Sequence, residues 1–209
     1  MKRMIRLFPI AVAVAASVSC GSVVRDGRAP VYLVIDQLQG IRGAASAGTP
    51  SSTLVSDVIT NIVTPAPCTA EAPCPTIFGD NGSVTLRAPL KDVVSTTTPA
   101  APTTNNEVTV TRYHVEYIRT DGRNTPGVDV PYAFDGAATG TIPAGGTMSL
   151  GFVLVRNSAK QESPLIQLRN NPLIITAIAK VTFYGTDRVG HDVNVTGQIQ
   201  IDFGNFGDF

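Results

Sequence analysis

Tryptophan is absent from this 209-residue chain, aromatic side chains make up 6% of it, and histidine occurs only as His114 and His191. Each scarcity removes a class of function. With so few aromatics, Tyr113, Tyr117, Tyr132 and Phe134 are expected to fill a core and not to line a carbohydrate-binding face. No run of Lys and Arg is present to grip nucleic-acid phosphates or anionic lipid headgroups, so no nucleic-acid partner is expected. No G-x-S-x-G elbow occurs, and no nucleophile stands beside an oriented base, so no catalytic residue is assigned. The longest apolar run, Leu7 to Val18, holds about a dozen residues, where a membrane-spanning helix needs roughly 20.

That run is informative through its neighbours. Lys2, Arg3 and Arg6 precede it, Ser17 and Ser19 flank Val18 at its end, and Cys20 follows directly. A basic start, a short apolar stretch and small residues mark a cleaved export signal, here residues 1–19. A cysteine at that point resembles the bacterial lipoprotein pattern, in which the thiol is acylated and becomes the mature N-terminus. Ser17 departs from the pattern, which prefers leucine three residues before the cysteine; ordinary cleavage leaving Cys20 unmodified is the alternative. The resemblance implies a cell-envelope protein held to the membrane by lipid on Cys20, with an envelope protein as partner. Gly21 stands where many lipoproteins retained in the Gram-negative inner membrane carry Asp. The resemblance therefore implies the outer membrane, on its periplasmic or its outer face. Residues 1–19 carry three basic groups and no acidic one, so the remaining 190 have 13 Lys and Arg against 16 Asp and Glu, a net −3.

The other cysteines, Cys68 and Cys74, stand in PAPCTAEAPCP. With Cys20 assigned to lipid the remainder is even, and an exported location permits a disulfide. Two free thiols in a flexible loop are the alternative. The C-x5-C spacing is not the C-x2-C of redox and zinc motifs, and neither histidine is near in sequence, so a structural staple is expected and no cofactor. Closing so small a loop restrains the unfolded chain by about 2.3 kcal/mol before native strain is subtracted.

Residues 20–30 read as a polar tether, reaching at most about 35 Å when extended, and 31–209 as one domain. Val31–Leu38 is rich in β-branched and aromatic residues and predicts a strand. Thr53–Val63 mixes helical spacing with β-branched content and is read as strand. Four prolines make 65–75 a loop. Ser83–Leu90 alternates until Pro89. The stretch 95–106 (STTTPAAPTTNN) is a solvated, mobile Pro/Thr-rich break.

The second half is more regular. In 107–119 the apolar face shifts from Val108 and Val110 to Tyr113, Val115 and Tyr117, which predicts a β-bulge or a change of sheet near Thr111–Arg112. Val128, Val130, Tyr132 and Phe134 alternate around Pro131 and predict an edge strand. In 147–156, Met148, Leu150, Phe152 and Leu154 face inward, and a short helix is expected within 158–169. The strongest signal pairs Leu173, Ile175, Ala177, Ala179, Val181 and Phe183 with Val193, Val195, Gly197, Ile199, Ile201 and Phe203. Polar Asn194, Thr196, Gln198, Gln200 and Asp202 intervene, so this is an antiparallel hairpin with one wet face.

Seven or eight strands without a long helix indicate an all-β sandwich. The segments VTVTRYHVEYIRTDGRNTPG and ITAIAKVTFYGTDRVGHDVNVTGQIQIDF resemble bacterial immunoglobulin-like or fibronectin-like envelope domains. The resemblance covers about 107–203, and it implies an antiparallel immunoglobulin-like β-sandwich serving scaffolding or protein interaction.

Turn carboxylates and amides are the candidate ligand site: Asp121 and Asn124 in TDGRNTPG, Asp187 in GTDRVGHD, and Asp80 with Asn81 in FGDNGS. Oxygen ligands on loops at one end of a sandwich can hold Ca²⁺. The same residues serve turn geometry, and none of the three segments matches D-x-D-x-D-G, so no metal is assigned. A carbohydrate- or Ca-binding module acting through these loops is the alternative function. A hydrolase built on His191 with Asp187 and Asp192 is the third. Past the last strand, Phe206 and Phe209 either pack back on the domain or dock on a partner.

Overall fold

Alternation and turn chemistry divide the chain into ten strands within residues 29–44, 48–91 and 101–207, which this structure, a computed structural model, describes. The signal-like segment, Cys20 and most of the tether lie outside the described residues. The strands are β1 (Val34–Ile41), β2 (Thr53–Asp57), β3 (Thr60–Ile62), β4 (Cys74–Thr76), β5 (Asp80–Arg87), β6 (Val108–Ile118), β7 (Phe134–Ile142), β8 (Thr147–Val155), β9 (Ile175–Asp187) and β10 (Asp192–Gly204). Eight of them form two sheets, β1-β5-β8 and β2-β10-β9-β6-β7, while β3 and β4 make a separate two-stranded arm. The order β1-β5-β8 against β10-β9-β6-β7 is that of an immunoglobulin-like sandwich, with β7 added beside β6 as in variable-type domains.

The sequence predicts an antiparallel sandwich, and one pair departs from it: β2 runs parallel to β10, with Leu54 beside Ile201 and Ser56 beside Phe203. Gly40 and Ser51 exchange N–H···O bonds of 2.8 and 2.9 Å. That contact folds the chain back after β1, so Thr53 restarts in the direction of β10 but in the other sheet.

The hairpin β9–β10 pairs as its pattern requires, with Ile175 opposite Phe203, Ala177 opposite Ile201 and Phe183 opposite Val195. Ala177, Ala179, Val181, Phe183, Val193, Ile199, Ile201 and Phe203 are buried, while on the wet face Thr182 and Thr196 share a 2.8 Å hydrogen bond. Leu173 instead precedes the strand and is exposed. Strand β6 carries its register shift between Val110 and Arg112 against both neighbours. The shift is the predicted bulge, and it turns Tyr113 inward. The Tyr113 ring meets Phe152 at 5.2 Å, and Phe152 meets Phe183 at 5.2 Å, both edge to face. Such pairs contribute about 0.5–1.5 kcal/mol each beyond their burial. Val153 N–H donates to the Tyr113 hydroxyl at 3.1 Å, and the Tyr117 hydroxyl donates to the Leu154 carbonyl at 2.7 Å, which ties the two sheets together.

Several local expectations are corrected. The first strand begins at Val34, although Val31 still bridges Leu90. The stretch 53–63 breaks into β2 and β3 around Val58 and Ile59. The edge strand expected over 128–134 is a turn: the Thr125 carbonyl accepts from Val128, Asp129 and Val130 N–H, and Gly127 has φ +75°. Val130 and Phe134 are therefore buried while Val128 and Tyr132 point to solvent. Strand β7 follows, unsuspected because its FDGAATGTI is poor in strand formers. Its Gly136 is where the Tyr113 ring rests; a Cβ there would lie 2.2 Å from Cζ. The short helix expected within 158–169 is instead two 3-10 turns, Ser158–Gln161 and Leu165–Asn170, separated at Pro164. In the break at 95–106, Thr104–Asn106 forms a 3-10 turn in which the Asn106 side-chain Oδ1 accepts from Thr103 N–H. Cys68 and Cys74 form the disulfide, with Cα atoms 5.3 Å apart, closing the loop that joins β3 to β4. No helix among the described residues is long and apolar enough to cross a membrane.

Candidate functional site at the connection-rich end

Strand directions give the sandwich two unlike ends. Ile118, Asp57, Asp80, Val155, Ile175 and Gly204 reach one end. Residues 42–44 and 48–52 and the connections 58–79, 119–133 and 156–174 gather there, together with residues 205–207. The other end carries the turns 143–146 and 188–191, the first described residues, and residues 88–91 and 101–107.

Beneath the connection-rich end lies a buried ionic cluster. The Lys160 ammonium donates to Asp80 Oδ2 at 2.8 Å and to the Asp57 carbonyl at 2.8 Å. Both the Lys160 and Asp80 side chains are 0% exposed. Asp80 also accepts from Gly43 N–H at 2.8 Å and from the Ser56 hydroxyl at 2.6 Å. Asp57 Oδ2 receives Arg42 at 2.7 Å, and its Oδ1 receives Phe206 N–H at 3.3 Å. Burial pulls the Lys160 ammonium below its ordinary pKa, with Asp80 and Asp57 opposing. Two carboxylates and two cations thus join the 42–43 segment, β2, β5, the Ser158–Gln161 turn and the C-terminal tail. Because Lys160 and Asp80 meet no solvent, they act as a clamp and not as groups offered to a substrate. Burial likewise pushes the Tyr117 phenol up.

The carboxylates singled out by sequence are placed apart. Asp80, read as a turn residue, is the buried first residue of β5, and Asn81 beside it is exposed. Asp121 lies beyond Ile118, whereas Asp187 pairs with Val108 at the opposite end of β6. Eleven strand residues separate those ends, about 35 Å of backbone, so the two cannot share one ion. Each is also committed locally. Asp121 receives Arg123 at 2.8 Å and Arg119 at 2.6 Å, while Asn124 Oδ1 accepts Arg119 N–H at 2.6 Å. The bonds from Arg123, opposed by desolvation and assisted by Arg119, hold the Asp121 carboxyl down at about 2. Asp187 accepts from Val189 N–H, His191 N–H and His191 Nδ1 at 2.8–2.9 Å. Burial pushes the Asp187 carboxyl up, but these bonds outweigh it and leave it below the usual range. The pair is a turn lock in the β9–β10 hairpin. His114 meets Asp135 at 3.1 Å on the exposed sheet face. Among the described residues no three His, Cys, Asp or Glu side chains converge as metal ligands.

Of the aromatics, Tyr113, Tyr117 and Phe134 are buried as expected, and Tyr132 is exposed. Tyr132 borders a cleft of about 270 Å³ with Arg156, Glu162 and Ser163 at the connection-rich end. The Arg156 guanidinium is fixed there, 4.0 Å over the Phe134 ring and donating to the Asp135 carbonyl at 2.6 Å. A shallower depression of about 530 Å³ follows the seam between β7 and β8 over Tyr113, Phe152 and Val153. Neither Lys160 nor this cleft was foreseen, because their members come from segments that sequence spacing does not relate. No protein-family model matches the chain, and no curated protein sequence matches it.

Proposed function

We propose that this protein is a non-catalytic, lipid-anchored cell-envelope module that presents the connection-rich end of its sandwich to a protein partner. Cys20, directly after a basic and then apolar stretch, carries the anchoring half of the reading. The partner half is supported by how the loops are held. The disulfide staples the arm, the Lys160 cluster fixes four segments and the tail, and Arg119 and Arg123 brace the Asp121 turn. Loops pinned in advance lose less freedom on association, and an exposed Tyr beside a fixed Arg is a typical interface anchor.

A palmitate label should enter the wild-type protein and vanish in Cys20→Ala; a label that persisted would overturn the anchor. In-cell cross-linking should give a defined adduct that Tyr132→Ala weakens and Val189→Ala leaves intact. An adduct indifferent to Tyr132 would remove the cleft from the interface. The cleft itself favours a second reading, a carbohydrate-binding module. A glycan that shifted Tm in wild type and not in Tyr132→Ala would support that reading over the first.

A further inference from the structure

We infer that the end of the sandwich bearing Val189 and Tyr32 lies against the lipid headgroup layer, with the connection-rich end turned away. This rests on the lipid-anchored reading above. The chain's first described residues are fastened at that end: Val31 bridges Leu90, Lys91 N–H donates to the Pro30 carbonyl at 2.8 Å, and Tyr32 N–H to the Pro89 carbonyl at 3.2 Å. Val31, Tyr32 and Leu33 lie beside Asp192 and Val193, where β10 begins.

Length then decides the orientation. Strand β10 spans 13 residues, about 40 Å of extended backbone. Between Cys20 and Ala29 the tether reaches at most about 35 Å when taut, and a flexible chain of that length averages roughly 17 Å. An inverted domain would lift Ala29 farther from the bilayer than the tether allows.

The surface so placed suits a headgroup layer. Val189, 61% exposed, stands at the tip of the turn closed by the Asp187 N–H on the His191 carbonyl, and Tyr32 is 46% exposed. Tyrosine prefers the membrane–water interface, where its ring is half solvated. The charges nearby offset one another: Arg188 pairs with Glu107 at 2.6 Å, and Asp187 is held by its own turn. The lipid supplies the affinity, and this end supplies an orientation that sets the arm and the Tyr132 cleft farthest from the bilayer.

Two valines of matched exposure test this, Val189 and Val128, the latter 65% exposed at the opposite end. Each is replaced by cysteine in the full, lipidated protein, labelled with bimane, and reconstituted into phosphatidylcholine vesicles containing a headgroup spin-labelled lipid. Bimane at 189 should be quenched at least threefold more than at 128, in protein that floats with the vesicles and melts like wild type. Equal or reversed quenching in floating protein overturns the orientation and leaves the anchor standing. Protein that carries no palmitate and does not float overturns the anchor and the orientation together.

Discussion

Replacing Lys160 by methionine keeps a long unbranched side chain and deletes the ammonium. In the wild type that ammonium makes two 2.8 Å contacts in a site with no solvent exposure. Afterwards Asp80 keeps the Gly43 N–H and the Ser56 hydroxyl, but its charge is buried without a counter-ion. Breaking a buried pair from one side costs about 3–5 kcal/mol. For a domain of this size each kcal/mol moves Tm by about 2–4 °C, so Lys160→Met should melt about 6–20 °C lower. Asp80→Asn behaves differently with pH. Burial already lowers the Lys160 pKa, and Asp80 is the largest influence opposing it; without Asp80 it falls further. Between that lowered value and the ordinary Lys value of about 10.4, the unfolded chain binds the proton and the folded chain does not, so stability rises with pH there. The double variant Lys160→Met/Asp80→Asn should be far more stable than the summed single losses imply, since neither charge is stranded. Urea and thermal denaturation of the four proteins measure this. A Lys160→Met protein within 2 °C of wild type, or single losses that simply add, would refute the clamp.

Other perturbations probe separate parts of the molecule. The Asp121 carboxyl should titrate near pH 2 by NMR and move up toward 3.8 in Arg123→Ala; its contribution to stability is present above about pH 4 and lost as pH falls through 2, so Asp121→Asn should flatten that acid limb. Gly82→Ala would set a Cβ 2.3 Å from the Phe152 ring, which is held between Tyr113 and Phe183, and overpacking should cost about 1–3 kcal/mol in denaturant. The double variant Cys68→Ser/Cys74→Ser should lose amide-exchange protection across 60–76 while the sandwich amides keep theirs, because β3 and β4 pair only with each other; loss of protection in β9 would contradict a separate arm. Tyr117→Phe should lose about 1 kcal/mol, the worth of its hydrogen bond to Leu154.

Period-two alternation was enough to read β9 and β10 and the sandwich they centre, because the wet face of β10 is uniformly polar. The bulge in β6 was equally legible, since one extra residue moves every later apolar side chain to the other face. Strand β7 was not, because its glycines are dictated by what rests on them: Tyr113 on Gly136 and Met148 on Gly140. Nor does anything local announce that β2 joins the far sheet in parallel. The sites divide in the same way. The Cys68–Cys74 staple and the Asp187 turn are short-range and were visible in spacing. The Lys160 cluster joins residues 15 to 149 positions apart, and its charged members are of types that sequence reading assigns to solvent.

The position of that cluster bears on why it is there. A buried ion pair seldom stabilises more than well-packed apolar residues of the same volume, so net stability is a poor account of Lys160. The cluster instead gathers residues where the chain enters or leaves the sheets: Gly43 after β1, Ser56 and Asp57 closing β2, Asp80 opening β5, and Phe206 in the tail. Directional charged bonds specify one arrangement of such segments, where apolar contacts would allow several. The tail shows the effect. Phe206 lies over Gly204 and near Ile174, its N–H on Asp57, while Asn205 donates to the Arg169 carbonyl at 2.6 Å. Of the two fates open to Phe206 in the sequence, it takes packing back on the domain. The tail thereby closes the clamp from outside and ties the end of β10 to the end of β2.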